Sequence, residues 1–324
     1  MNDEANPALP RPGASNIVLI GMTRKRRAIG QVRRYRSPQL HVVCMMSLFA
    51  FMLDGCGSGG TNSNANGGSH SNADIIVAGN PPNSNSESPS GTVRITSPDG
   101  VVLVGTYLEA PKPNSPAVLL LHQWQSDRHS YDEFANRMQS RGFNVLSIDG
   151  RGFGESVKTT DGKSVAAERT DAAVHGMLGD VGAALDFLTE QRNVDTSKIG
   201  IVGASYGSSL AVIYAAENPK VAATVVISPG LNYFGNMQTE PAIRKYGDRP
   251  MFLVAAEDDR ESADAVNKLM GAGNNVRYGG KIFPSGGHGT ALFKYRDTFD
   301  GPPVLAETLE WFLTDRLAKS YGNE

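Results

Sequence analysis

Lys198-Ile199-Gly200-Ile201-Val202-Gly203-Ala204-Ser205-Tyr206-Gly207-Ser208-Ser209-Leu210-Ala211-Val212-Ile213-Tyr214-Ala215-Ala216 decides how this chain is read. An apolar run of strand character ends in Gly-x-Ser-x-Gly, and a helical pattern begins directly after it. A reversal that sharp needs residues without a Cβ, supplied by Gly203 and Gly207, while Ala204 keeps the neighbourhood small. The turn pushes one serine out beyond a strand end, with a helix N-terminus behind it. Ser205 is therefore a candidate nucleophile. Outside a strand–turn–helix context the same five residues would be an ordinary glycine-rich turn.

Flanking segments supply that context. Residues 92–96 and 101–107, joined through Pro98-Asp99-Gly100, read as a β-hairpin. Ala117-Val118-Leu119-Leu120-Leu121 is a continuous apolar run, the signature of a strand buried on both faces. Further strands are expected at 143–148, 199–202, 221–227, 251–256 and 276–283, with helices at 131–141, 171–191, 264–270 and 303–317. Alternation of this kind predicts an α/β domain with a mainly parallel eight-stranded sheet, right-handed crossovers and helices on both faces. Ligand sites of open α/β sheets lie beyond the C-terminal strand ends, where Ser205 falls.

A serine hydroxyl is a weak nucleophile at neutral pH and needs a base, which in turn needs an orienting acid. His288 is the one histidine after Ser205, in Ser285-Gly286-Gly287-His288-Gly289-Thr290 behind the last strand. Its glycines read as a mobile loop able to swing an imidazole towards the serine. Strand 251–256 runs into Glu257-Asp258-Asp259, and a single turn can aim only one of these carboxylates at the histidine. An oxyanion needs two backbone N–H donors. One is expected from Tyr206, the other from the loop Leu121-His122-Gln123-Trp124-Gln125, with His122 read as a pin for that loop. The turn Asp149-Gly150-Arg151-Gly152-Phe153-Gly154 reads as structural, with Arg151 holding Asp149.

The N-terminal region differs in kind. Residues 1–40 are basic, residues 41–53 are apolar, and Leu53-Asp54-Gly55-Cys56 follows. Thirteen apolar residues are short for a membrane span, so residues 1–55 read as a signal peptide of lipoprotein type, with Met22 an alternative start and Cys56 the expected lipidation site. Residues 56–90, rich in Gly, Ser and Asn, read as a flexible tether, and residues 91–324 as the catalytic domain. The expected location is exported, anchored to a membrane by lipid alone. Of the 2 cysteines, Cys44 would leave with the signal, so no disulfide framework is expected. The remaining chain carries a net charge of about −7, which argues against nucleic acid as a partner. Neither a Cys/His metal spacing nor a phosphate-binding loop is present, so no cofactor or metal is expected.

The Asp-x-Arg-Gly-x-Gly-x-Ser turn, the Gly-Ala-Ser-Tyr-Gly elbow, the Asp-Asp strand end and the Gly-Gly-His loop occur in one order over roughly residues 91–324. In this the chain resembles the α/β-hydrolases, and within them the dienelactone hydrolase-like group, because segment 229–250 leaves no room for a large lid. Dienelactone hydrolases proper use Cys where this chain has Ser205. The resemblance implies the order nucleophile, acid, histidine, and places the acid three residues past the strand, at Asp259, with Asp258 the alternative. It also implies His-Gly-x in the oxyanion loop. This chain has Gln123 at the glycine position, leaving Trp124 as the expected second donor and Gln123 as the alternative. The expected activity is hydrolysis of a carboxylic ester or related acyl bond of a small molecule. Thioester or amide hydrolysis and acyl transfer on the same residues are alternatives, and a non-catalytic binding lipoprotein is a further one.

Overall fold

The computed structural model describes residues 75–77, 91–273 and 278–319. The signal peptide, Met22 and Cys56 lie outside the described residues, as does the tether apart from Ile75–Val77. Those three β-branched residues form a short strand, β1, pairing in parallel with β2 (Gly91–Thr96).

The remaining strands are β3 (Val101–Leu108), β4 (Ser115–Leu121), β5 (Asn144–Ile148), β6 (Lys158–Thr159), β7 (Val194–Ala204), β8 (Val221–Ile227), β9 (Asn232–Tyr233), β10 (Met237–Gln238), β11 (Met251–Ala256) and β12 (Tyr278–Phe283). The main sheet runs β1-β2-β3-β5-β4-β7-β8-β11-β12, with β6 added on β3. From β5 to β12 every neighbour is parallel, and β3 is antiparallel to both β2 and β5. The eight expected strands are all present, and the short β1 and β6 bring the sheet to ten. The molecule has the α/β-hydrolase fold.

Helices α1 (Asp132–Ser140), α2 (Asp171–Glu190), α3 (Tyr206–Glu217), α4 (Thr239–Tyr246), α5 (Arg260–Ala272) and α6 (Val304–Leu313) cover both faces. The side-chain period of two on β4 divides them. Leu119 and Leu121 enter one core with α2, α3, α4 and α5, whereas Val118 and Leu120 enter the other with α1 and α6. Segment 229–250, where no large lid is expected, holds the antiparallel β9–β10 hairpin and α4.

The structural turn after β5 is built differently from the expectation. Asp149, fully buried, pairs with Arg128 and accepts from the N–H groups of Arg128 and Glu155, both at 2.8 Å. Arg151 turns away towards α2. Its Nε donates to Asp180 Oδ2 at 2.7 Å, Nη2 to Asp180 Oδ1 at 2.7 Å, and Nη1 to Asp99 Oδ2 at 2.6 Å. Gly176 makes this possible, since a Cβ there would overlap the guanidinium. Burial pushes the Asp180 carboxyl up, against the pull of Arg151. Removing one partner of such a pair strands a buried charge. Arg151→Ala should therefore cost about 3–5 kcal/mol of folding stability, read as a lowered urea midpoint.

Candidate active site

Five neighbouring strands end at one edge, and each delivers one part of the site. Register aligns them: Leu121 pairs with Gly203, Ala204 with Ile227, Ile227 with Val254, and Ala256 with Phe283. Beyond those ends lie Gln123 and Trp124 after β4, Ser205 after β7, Ser228 after β8, Asp258 and Asp259 after β11, and His288 after β12.

Ser205 occupies φ 55° and ψ −124°, a region that residues bearing side chains rarely adopt. The residues two places away on either side must be glycine. A Cβ on Gly203 would overlap the Gly207 carbonyl, and one on Gly207 would lie 2.6 Å from the His122 carbonyl oxygen. The turn is tied on both sides. Ser205 N–H donates to Ile227 O at 2.8 Å, and its carbonyl accepts from Ser208 N at 2.9 Å and Ser208 Oγ at 2.6 Å.

Ser205 Oγ lies 2.7 Å from His288 Nε2, and His288 Nδ1 lies 2.8 Å from Asp259 Oδ2. A carboxylate can only accept, so the proton sits on Nδ1 and leaves Nε2 as the acceptor facing the serine hydroxyl. Burial pushes Asp259 up, but hydrogen bonds from His288, Ser262 and Ser228 outweigh it and hold the carboxyl below its ordinary value. Asp258, the alternative acid, is engaged elsewhere: its carboxylate accepts from Gly286 N and Gly287 N, each at 3.1 Å.

The histidine loop is consequently not the free swinging loop that its glycines suggested. Ser228 Oγ accepts from Gly289 N at 2.9 Å, and Gln123 Oε1 accepts from Thr290 N at 2.7 Å and Thr290 Oγ1 at 2.8 Å. The glycines serve conformation instead, with φ of 139° at Gly286, 71° at Gly287 and 63° at Gly289.

His122 holds the loop after β4 at both ring nitrogens. Gly150 N–H donates to Nε2 at 2.8 Å, so Nδ1 carries the proton and donates to Gln123 O at 2.7 Å. In a trans peptide the C=O and the next N–H point oppositely. By holding the Gln123 carbonyl, His122 thus sets the direction of the Trp124 N–H. Tyr206 is the first residue of α3, so its N–H lies outside the helical i→i−4 ladder.

Tyr233 lies in segment 229–250 and carries no motif that marks it in the sequence. Its hydroxyl donates to Ser228 O at 3.0 Å and accepts from Ser205 Oγ at 3.2 Å, and burial pushes it up to about 12. The single proton of Ser205 thus faces two acceptors, with His288 the nearer. Trp124 packs edge-on against Phe153, Tyr206 and Phe234, at centroid separations of 4.8, 5.4 and 4.8 Å. The Arg169 guanidinium caps this cluster, 4.9 Å from the Trp124 centroid and 5.1 Å from that of Phe234.

The sequence matches the model of the dienelactone hydrolase family over residues 104–301. It is 25% identical over 232 residues to Protein usf of Aquifex pyrophilus, covering 68% of this chain and 94% of that protein. Its fold is similar to that of a Pyrococcus furiosus esterase, with TM-score 0.56 and 17% identity over 74% of this chain and all of the esterase. It is also similar to a dienelactone hydrolase from Anabaena variabilis, with TM-score 0.54 and 19% identity over 71% of this chain and 98% of that one.

Burial lowers the pKa of His122 from its ordinary 6.5. The unfolded chain therefore takes up a proton before the folded one does. This contribution to stability is complete above about pH 6.5 and is lost as the pH falls below it. Urea midpoints between pH 8 and 5 should fall more steeply for the wild type than for His122→Ala; parallel slopes would contradict the assignment.

Proposed function

The chain belongs to the dienelactone hydrolase family, and on that premise we propose that it is a serine hydrolase cleaving a carboxylic ester or related acyl bond. The observation that carries this reading is the unbroken chain from Asp259 through His288 to Ser205, at 2.8 and 2.7 Å, on a strained turn at the sheet edge.

In the proposed reaction, Ser205 Oγ attacks the acyl carbon as its proton passes to His288 Nε2. Asp259 fixes the imidazole tautomer and stabilises the imidazolium. Negative charge on the former carbonyl oxygen is held by the N–H groups of Trp124 and Tyr206, donors already oriented before reaction. As the tetrahedral species collapses, the bond to the leaving oxygen breaks and His288 returns the proton to it, leaving an acyl-serine. Water, deprotonated by His288, attacks the acyl-serine, and Oγ leaves with that proton. Gln123, the alternative donor, has its carbonyl on His122 and its side chain on Thr290, which favours Trp124. The N-terminal reading adds that the domain works outside the cytoplasm on a tether from Cys56. Mass spectrometry of the mature N-terminus tests that part.

Ser205→Ala should abolish fluorophosphonate labelling and lower nitrophenyl ester hydrolysis by about a thousandfold or more. Asp259→Asn should lose activity on a similar scale, because the amide favours the wrong imidazole tautomer. Asp258→Asn should lose far less, since one carbonyl oxygen remains to accept from the Gly286 and Gly287 amides. An equal loss in the two Asp variants would reverse the assignment of the acid. Matched ester, thioester and amide substrates then identify the acyl bond.

A further inference from the structure

A base is useful only if its imidazole stays registered to the nucleophile and to the oxyanion donors, because misplacement by about 1 Å can cost a hundredfold in rate. In this chain the three parts come from different strands, so something must fix the β12 loop to the β4 loop. Gln123, from the oxyanion loop, makes that connection by hydrogen bonds to the histidine loop. Its Oε1 takes two hydrogen bonds from Thr290, N–H at 2.7 Å and Oγ1 at 2.8 Å, two residues beyond His288. The fit is mutual: a Cβ on Gly289 would overlap Gln123 Oε1. The other end of the residue is fixed as well, its carbonyl accepting from His122 Nδ1 at 2.7 Å. Gln123 thus bonds the peptide that carries the Trp124 N–H and the loop that carries the base. A glycine at this position would leave both Thr290 donors without that acceptor.

We infer that Gln123 is a positioning residue, a tie holding the His288 loop in register with the oxyanion loop. The inference rests on the serine-hydrolase reading. Gln123 touches none of the reacting atoms; it acts through His288 and Trp124. Its loss should therefore lower the rate of the chemical step and leave substrate affinity nearly unchanged.

The test compares full-length wild type, Gln123→Met, Thr290→Val and the double variant. Methionine keeps the length and packing of glutamine but lacks the acceptor; valine keeps the Thr290 N–H but removes Oγ1. Gln123→Met should lower kcat on a nitrophenyl ester, and the second-order rate of fluorophosphonate labelling, by about tenfold or more, with KM within about threefold. Thr290→Val should give a smaller loss of the same kind, and should add nothing in the Gln123→Met background, because both act on one hydrogen-bonded unit. A kcat within twofold of wild type for Gln123→Met, a loss carried mainly by KM, or full additivity of the two substitutions would overturn the inference. If Gln123→Met does not fold, Thr290→Val decides alone: unchanged kcat and labelling rate would overturn it. Wild type that resists the fluorophosphonate, or Ser205→Ala that still takes it, would remove the serine-hydrolase reading itself, an outcome distinct from a labelled wild type with an indifferent Gln123 variant.

Discussion

Ser205 at φ 55° and ψ −124° is the constraint that the surrounding structure serves. A residue with a side chain held there costs of order 1–3 kcal/mol and persists only when its surroundings over-determine it. Three of them do so here. The Ile227 carbonyl on β8 takes the Ser205 N–H; Ser208 takes its carbonyl with both N–H and Oγ; and the absence of a Cβ at Gly203 and Gly207 lets the helix close on the strand. The last contact reaches further. Gly207 packs against the carbonyls of Leu121 and His122, so the elbow and the loop after β4 are pressed together by one glycine. A side chain at 207 would not merely strain the turn; it would push β4's loop away from α3.

The features legible in the sequence were those with a local cause. Buried parallel strands announce themselves as apolar runs, and β8 and β11 were readable to the residue at 221–227 and 251–256. The elbow, His288 and the carboxylate strand end were readable because chemistry restricts the residue types. The start of α5 was not: Arg260, Glu261 and Ser262 form a polar first turn, so the apolar period becomes visible only later, although the helix begins at Arg260. The β9–β10 hairpin is four residues of strand without alternation, and Tyr233 inside it carries no motif. Its closeness to Ser205 follows from how the segment after β8 folds back, which no spacing encodes.

Charge pairing shows the same boundary between local and tertiary causes. Asp149 and Arg151, two apart in sequence, invite a local pair, yet each finds a better partner elsewhere. Arg128 meets Asp149 from the loop after β4, and Arg151 lies in a slot on α2 that Gly176 opens beside Asp180. The outcome is a turn clamped from two sides. One of the things it carries is the Gly150 N–H, the donor that fixes the tautomer of His122. The ion pairs of this turn thereby reach the loop after β4 through one imidazole.

The two adjacent carboxylates after β11 illustrate how such a site distributes its work. Both could face the loop after β12, and sequence distance alone does not separate them. Geometry does: Asp258 accepts from two backbone amides of the loop, and Asp259 accepts from the imidazole that the loop presents. The first interaction uses N–H groups that no β-ladder satisfies, because Gly286 and Gly287 lie beyond the end of β12. The second leaves its histidine side chain about half exposed, at 45%, beside a carboxylate only 13% exposed. The carboxylate is thus shielded, while the imidazole keeps a face open to solvent. A loop that is half glycine would otherwise sample many positions. Side-chain oxygens from the ends of β4, β8 and β11 capture its amides in turn, so the sheet register that sets those three strand ends also sets where His288 Nε2 stands relative to Ser205.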